Sequence, residues 1–205
     1  MVGNQLLDPQ KSVSWDVGGE IVARTTEKTA RNTNDDIQTT VFGVTYFNRY
    51  TDDLIQFEQS SGFARAENVG RAEIHGVEVQ GLASFFNHLN LSANYTFQDS
   101  RDRANYYGKI LPSNPRHELD GKVEGVFKDL KIFVSANWMD DIFLDRLNTR
   151  FVNDRIIVNS GFSFKPLRSL TVSFAGKNLN NDQIVDALGF PLPGRSFFGK
   201  IDWQL

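Results

Sequence analysis

From Leu89 to Gln98 the chain alternates without a break. Leu89, Leu91, Ala93, Tyr95 and Phe97 fall on one side, and Asn90, Ser92, Asn94, Thr96 and Gln98 on the other. Successive side chains of a strand point to opposite faces, so the segment predicts one strand with a dry face and a polar face. The same period returns along most of the sequence. Leu119, Gly121, Val123, Gly125 and Phe127 oppose Asp120, Lys122 and Glu124, and Leu130, Ile132, Val134, Ala136 and Trp138 oppose Lys131, Ser135 and Asn137. Ile156, Val158, Phe162 and Phe164 oppose Asn159, Ser163 and Lys165, and Leu170, Val172 and Phe174 oppose Thr171, Ser173 and Lys177. Phe197, Gly199, Ile201, Trp203 and Leu205 oppose Ser196, Lys200, Asp202 and Gln204. Upstream, Val77, Val79, Ala83 and Phe85 oppose Glu78, Gln80 and Ser84, and two less regular strands are expected near 12–26 and 37–50. The pattern predicts about nine strands of roughly 10–14 residues and no helix, since no window shows a 3.6-residue period.

The connections alternate in length. Short turns are expected at Phe86-Asn87-His88, Lys128-Asp129 and Lys165-Pro166-Leu167-Arg168-Ser169, and long polar loops near 51–70, 99–116, 140–154 and 178–194. That alternation describes an up-and-down antiparallel sheet with one plain rim and one elaborated rim. With Phe127 opposite Leu130, the register places Lys122 opposite Ser135 and Asp120 opposite Asn137.

Two architectures use such strands. A soluble sandwich buries its apolar faces in a shared core, and its strands are typically about five or six residues long. A membrane barrel uses strands of roughly 9–11 residues, with aromatic girdles at both interfaces. On the apolar face, Phe85, Phe127, Phe164 and Trp203 lie beside the short turns, while Tyr95, Phe97, Trp138 and Phe197 lie near the long loops. Aliphatic and small residues, Ala93, Val123, Val134, Val172 and Ile201, lie between them. A sandwich core gives no reason for that sorting, and a bilayer does. The expectation is an all-β, antiparallel, up-and-down transmembrane barrel wall.

Composition now has a context. The 205 residues include 17 Phe, 3 Trp and 5 Tyr, yet only 40% of the chain is hydrophobic. Half of each strand facing lipid and half facing a polar interior accounts for both numbers. Zero cysteines exclude a disulfide framework and thiolate metal sites. A net charge of -3 argues against a nucleic-acid-binding face. No apolar run approaches the roughly 18 residues of a membrane helix, and the first residues lack the basic and apolar regions of a secretory signal.

A series of short motifs follows in order. Asp53-Leu54-Ile55 comes after a strand ending Tyr46-Phe47-Asn48-Arg49-Tyr50. Asn68-Val69-Gly70-Arg71-Ala72 and Gly76-Val77-Glu78 follow, then Asn114-Pro115-Arg116, Lys177-Asn178-Leu179 and Pro193-Gly194-Arg195-Ser196-Phe197. In this order and across nearly the whole chain, they resemble the C-terminal half of TonB-dependent outer-membrane receptors. The resemblance implies a barrel of about 22 strands filled by an N-terminal plug. It implies ligand-gated uptake across the bacterial outer membrane, driven by TonB acting on the plug. The cargo it implies is a ferric siderophore or a cobalamin-type chelate. This chain corresponds to about the last nine strands, without plug or opening strands, so TonB would act only through the missing part. Strand parity agrees. With the carboxyl terminus and short turns on the periplasmic side, nine strands place residue 1 outside, whereas single-chain bacterial barrels normally have even strand numbers. The expectation is a truncated or split product. The final strand also resembles the signal read by the barrel-assembly machinery, with Leu205 where Phe is usual.

The polar face supplies candidates for contact with the lumen and plug: Glu78, Gln80, Asn94, Asp120, Lys122, Glu124, Lys131, Asn137, Lys177, Lys200 and Asp202. Ordinary cross-strand hydrogen bonding is the plainer role for them. Ligand contact is expected in the outer loops, at Arg101, Arg103, Tyr106 and Tyr107, and at Arg146 and Arg150, with Arg155 following. Guanidinium groups offer fixed donors and Tyr an amphipathic surface, which together suit an anionic, oxygen-rich chelate; contact with lipopolysaccharide phosphates is the alternative use. His75, His88 and His117 lack metal-ligand spacing, and Asp52-Asp53 and Asp140-Asp141 lack the ordering of a calcium loop, so no resident metal or cofactor is expected. No Ser-His pair suggests an enzyme. A soluble carbohydrate-binding sandwich is the remaining competing function.

Overall fold

The computed structural model describes residues 4–204, apart from 28–35, 61–62, 69, 87, 184 and 188–189. Among the described residues there is no helix. The strands in chain order are β1 (Lys11–Glu27), β2 (Asp36–Asp52), β3 (Ile55–Ser60), β4 (Phe63–Asn68), β5 (Ala72–Phe85), β6 (Leu89–Asp102), β7 (His117–Phe127) and β8 (Leu130–Asp140). They continue with β9 (Ile142–Phe143), β10 (Phe151–Val152), β11 (Arg155–Leu167), β12 (Leu170–Lys177), β13 (Val185–Ala187), β14 (Phe190–Pro191) and β15 (Ser196–Trp203). Nine of them form one antiparallel sheet in the order β1-β2-β5-β6-β7-β8-β11-β12-β15. Each sheet strand pairs with its neighbour in the chain, and β1 and β15 are the two edges, so the wall does not close on itself. The other six strands pair as the ribbons β3-β4, β9-β10 and β13-β14. All three lie within long connections, which therefore share one rim.

The register carries a single apolar face across the sheet. Val13, Trp15, Val17 and Ile21 of β1 share it with Phe42, Val44 and Tyr46 of β2, and one row runs Leu91–Val123–Val134 through β6, β7 and β8. The expected pairs Lys122–Ser135 and Asp120–Asn137 are present on the other face. The aromatics expected beside the turns also align there: Phe127 and Phe164 both pair with Leu130, and Trp203 pairs with Leu170. Near the long loops Tyr95 and Trp138 both pair with Leu119, while Phe97 pairs with His117.

Phe127, Phe164, Phe197 and Trp203 are all exposed, as are Val123 and Val134 in the middle of the wall. A contiguous apolar surface of this extent on a soluble monomer would mark an interface or a membrane.

Three aromatics break the alternation. Phe47, Phe133 and Phe198 fall on the polar face by register. Phe47 pairs with Gly76 and Phe133 with Gly161. A Cβ on Gly161 would stand 2.8 Å from the Phe133 ring and 2.6 Å from the Phe174 carbonyl, and a Cβ on Gly76 would meet the Phe47 ring at 2.7 Å and press on the Phe97 carbonyl. Each ring thus lies over the bare backbone of the next strand. The turn expected at Lys165–Ser169 is shorter than the sequence suggests, because β11 continues through a bulge between Phe164 and Leu167. Similarly, β6 extends to Asp102, which places Arg101 in a strand rather than a loop. Leu205 lies outside the described residues.

Candidate functional site: the outer-rim loops and the polar wall

The most buried side chains cluster at the outer ends of the sheet strands and in the loops that fold over them. Leu111 (1% exposed) and Ile142 (3%) are buried with Ile110 in the connections β6–β7 and β8–β11, beside Ala72, Thr51, Ser100 and Asp102 at the strand ends. A single sheet has no second layer to pack on, so these folded-back loops supply the apolar core. The first loop is fixed to β6 by Asp102 N–H to Lys109 O (2.8 Å), Leu111 N–H to Ser100 O (3.1 Å) and Gly108 N–H to Asp102 O (2.8 Å).

The six expected ligand residues separate by environment. Arg101 bonds Asp99 and the Gly108 carbonyl (2.8 Å), and Asp99 also pairs with Arg116 at 3.1 Å. Arg103 donates from Nε to Glu73 at 2.9 Å and lies 5.7 Å from the Tyr107 ring centroid. The Glu73 carboxylate raises the proton affinity of this guanidinium above the ordinary arginine value, outweighing the opposing effect of burial. Arg146 is buried with its guanidinium 5.4 Å from the Tyr106 ring centroid. Tyr107 (74% exposed) and Arg150 reach solvent. Leu147 and Phe151, which the sequence did not single out, are also exposed at this rim. Neither belongs to an alternating strand of the main sheet, so periodicity could not find them.

Asp145 organises the turn that carries Arg146 and Arg150. Its carboxylate accepts from Arg150 N (2.7 Å), Thr149 N (3.0 Å) and Thr149 Oγ1 (2.9 Å). Burial pushes its carboxyl upward, but these hydrogen bonds prevail and hold it below the usual Asp range.

On the polar wall the charged candidates engage one another. Asn137 donates to Glu118 (3.1 Å) and Asp120 (3.0 Å), Lys122 pairs with Glu124 (2.9 Å), Gln80 donates to Glu20 (3.2 Å) and Lys200 pairs with Asp202 (2.9 Å). Glu78 and Asn94 are exposed on the same face. Lys122 and Lys177 also lie 5.4 Å from the Phe133 and Phe198 ring centroids. His117 bonds Tyr95 Oη through Nδ1 (2.8 Å) among Phe97 and Trp138. Among the described residues no three His, Asp or Glu side chains converge as a metal site would require.

The ordered motifs prove to be fastenings of the rim. Asn68 donates to the carbonyls of Asp8 (3.0 Å) and Asp53 (2.8 Å) and accepts from Asp8 N (2.9 Å). Gly70, at φ +84°, leaves no space for a side chain beside Ala104. Gln98 donates to Pro115 O (2.9 Å). Asn178 donates to the carbonyls of Asp182 (2.9 Å) and Pro193 (3.2 Å), joining the two ends of the last loop. Asn181 Oδ1 accepts from Arg195 N (3.0 Å), so the Lys177-Asn178-Leu179 and Pro193-Gly194-Arg195 segments form one junction.

Three solved structures share this wall at low sequence identity. The siderophore receptor PirA from Acinetobacter baumannii matches with a TM-score of 0.68 and 16% identity, over 96% of this chain and 32% of that one. The copper transporter OprC matches with a TM-score of 0.67 and 16% identity, over 97% and 32%. A mutant of the ferric enterobactin receptor PfeA from Pseudomonas aeruginosa matches with a TM-score of 0.61 and 17% identity, over 82% and 30%. The chain thus spans about a third of each of these proteins. No curated protein matches it. The model of the family described as TonB dependent receptor-like, beta-barrel matches residues 1–179, and with the nine-stranded wall and its fastened rim this places the chain in the TonB-dependent receptor β-barrel family.

Proposed function

We propose that this wall is part of a bacterial outer-membrane receptor that takes up a metal chelate, a ferric siderophore being the leading candidate. The observation that carries the reading is the largely apolar face that runs across all nine strands of the sheet, beneath a rim of folded Arg- and Tyr-bearing loops. The similarity to structures of siderophore receptors and of a copper transporter supports it. A cobalamin-type cargo is compatible with the same architecture. Tyr107 and Arg150, which reach solvent, are the direct ligand contacts in this reading. Arg101, Arg103, Tyr106 and Arg146 hold the loops that present them. Phe85, Tyr95, Phe97, Phe127, Trp138, Phe164 and Trp203 meet the membrane interfaces, with lipopolysaccharide around the outer rim. The polar wall, with Glu78, Gln80, Asn94, Asp120, Lys122, Glu124, Asn137, Lys200 and Asp202, faces a plug contributed by sequence outside this chain, through which TonB acts. The terminal strand is read by the assembly machinery.

The test offers labelled ferric siderophores, cobalamin and copper in parallel to outer membranes carrying the protein. Retention of a ferric siderophore that falls at least tenfold in Tyr107→Ala and Arg150→Ala supports the reading. Retention of none of these, by protein that is present and heat-modifiable on gels, refutes it.

A further inference from the structure

The β6–β7 and β8–β11 connections are far apart in sequence, yet they share one core and one set of hydrogen bonds. Asn148 joins them. Its Oδ1 accepts from Ile110 N and its Nδ2 donates to Ile110 O, both at 2.8 Å. A single side chain thereby satisfies both backbone groups of a residue 38 positions away, as a neighbouring strand would. Asn148 has φ +56°, a conformation that Asn tolerates better than most residues. Asp145 fixes the turn that presents it, and Asn148 N–H returns to Asp145 O at 3.1 Å. A second tie runs from Ser113 N–H to Phe143 O at 2.8 Å, and the second loop closes on itself through Leu144 N–H to Arg150 O at 2.8 Å. The Arg146–Tyr106 stack and the burial of Ile110, Leu111 and Ile142 complete the contact. Separating the loops would expose this apolar core and exchange both Asn148 hydrogen bonds of Ile110 for bonds to water.

We propose that residues 103–116 and 141–154 are one folded body latched by Asn148, and that this body is a fixed platform at the outer rim rather than two flaps that open independently. Asn148 is a positioning residue. Asp at this site could accept from Ile110 N but would repel its carbonyl, and Ala could do neither. Gly would keep the backbone conformation while removing the latch, so it separates lost contact from backbone strain. The latch stands on geometry alone, whereas its role as a fixed platform rests on the uptake reading.

Hydrogen exchange of the whole chain in lipid bilayers tests the latch. The expected result is that the Ile110, Ser113 and Leu144 amides exchange at one shared slow rate. Asn148→Gly and Asn148→Ala should speed all three at least tenfold together, leaving the Val123 amide in β7 unchanged. Acceleration of Ile110 alone, or of none, overturns the latch.

The chain has no native cysteine, so Ser113→Cys with Phe143→Cys gives a clean cross-link between the loops. If the platform is fixed, the oxidised variant retains ferric siderophore in outer membranes within twofold of the reduced one. A tenfold loss on oxidation, reversed by dithiothreitol, would show that the loops must part and overturn the platform. If neither form retains any chelate, the uptake reading fails while the exchange result still decides the latch.

Discussion

Ala93 and Asn94 are neighbours in β6 on opposite faces, so one substitution tried at both sites interrogates the whole architecture. Ala93 pairs with Gly81 and Gly121 on the apolar face, midway between the aromatic groups. Asn94 pairs with Gln80 and Asp120 on the polar face. Both are exposed in the isolated wall. Ala93→Arg forces a guanidinium into the bilayer midplane, at a cost of about 2–4 kcal/mol for a barrel. At 1.4 kcal/mol per tenfold, that lowers the folding equilibrium by roughly 30- to 700-fold. Asn94→Arg instead sets a cation across from Asp120, a cross-strand pair expected to contribute roughly 0.2–1 kcal/mol in the favourable direction. Urea titration in vesicles, followed by Trp fluorescence and by the heat-modifiable gel band, reads both changes. If the apolar face met water instead of lipid, Ala93→Arg would fall within about 0.5 kcal/mol of wild type, as exposed surface substitutions do. Equal small effects at the two sites would refute the reasoning.

Other consequences follow from particular residues. Gly76→Ala should cost roughly 1–3 kcal/mol in the same titration, because its Cβ meets the Phe97 carbonyl and the Phe47 ring. Gly121→Ala, with nothing within 4 Å of the added methyl, should be neutral or slightly stabilising. The Asp145 carboxyl is held below its usual range, so its contribution to loop stability is present above the unfolded-chain value and is lost as pH falls through the depressed folded value. Exchange at the Thr149 and Arg150 amides, corrected for intrinsic rates, should accelerate in that acidic window and should do so at neutral pH in Asp145→Ala. Arg146→Ala should loosen the loop amides, while Arg150→Ala should leave them unchanged and weaken ligand retention.

The wall was legible from sequence because its determinants are local. A period of two survives in every sheet strand, and the Lys122–Ser135 pairing followed from one short turn. The rim was not, since its order comes from contacts between segments tens of residues apart. Nothing in the neighbourhood of Asn148 announces that its amide will clasp Ile110, nor that Leu111 and Ile142 will be among the most buried residues. Arg146 was expected among the ligand contacts of an outer loop, and the meeting of two loops buries it against the Tyr106 ring. Phe47 and Phe133 fall on the polar face, a placement that alternation did not single out, and each has a glycine, Gly76 or Gly161, as its partner on the next strand. The ordered motifs identified the family correctly, and two of their side chains, Asn68 and Asn178, bond backbone groups that join separate segments of the rim.

The central claim is that one face of this sheet meets lipid and the other does not. Because the chain has no cysteine, single Cys replacements from Leu89 to Gln98 can each carry a nitroxide without background labelling. Electron paramagnetic resonance in bilayers then compares collisions with oxygen, which concentrates in lipid, against a water-soluble nickel chelate. High oxygen accessibility is expected at positions 89, 91, 93, 95 and 97 and low values at positions 90, 92, 94, 96 and 98, with the oxygen-to-nickel ratio greatest at Ala93. Equal ratios on the two faces, or dominant nickel collisions at Ala93, would contradict it.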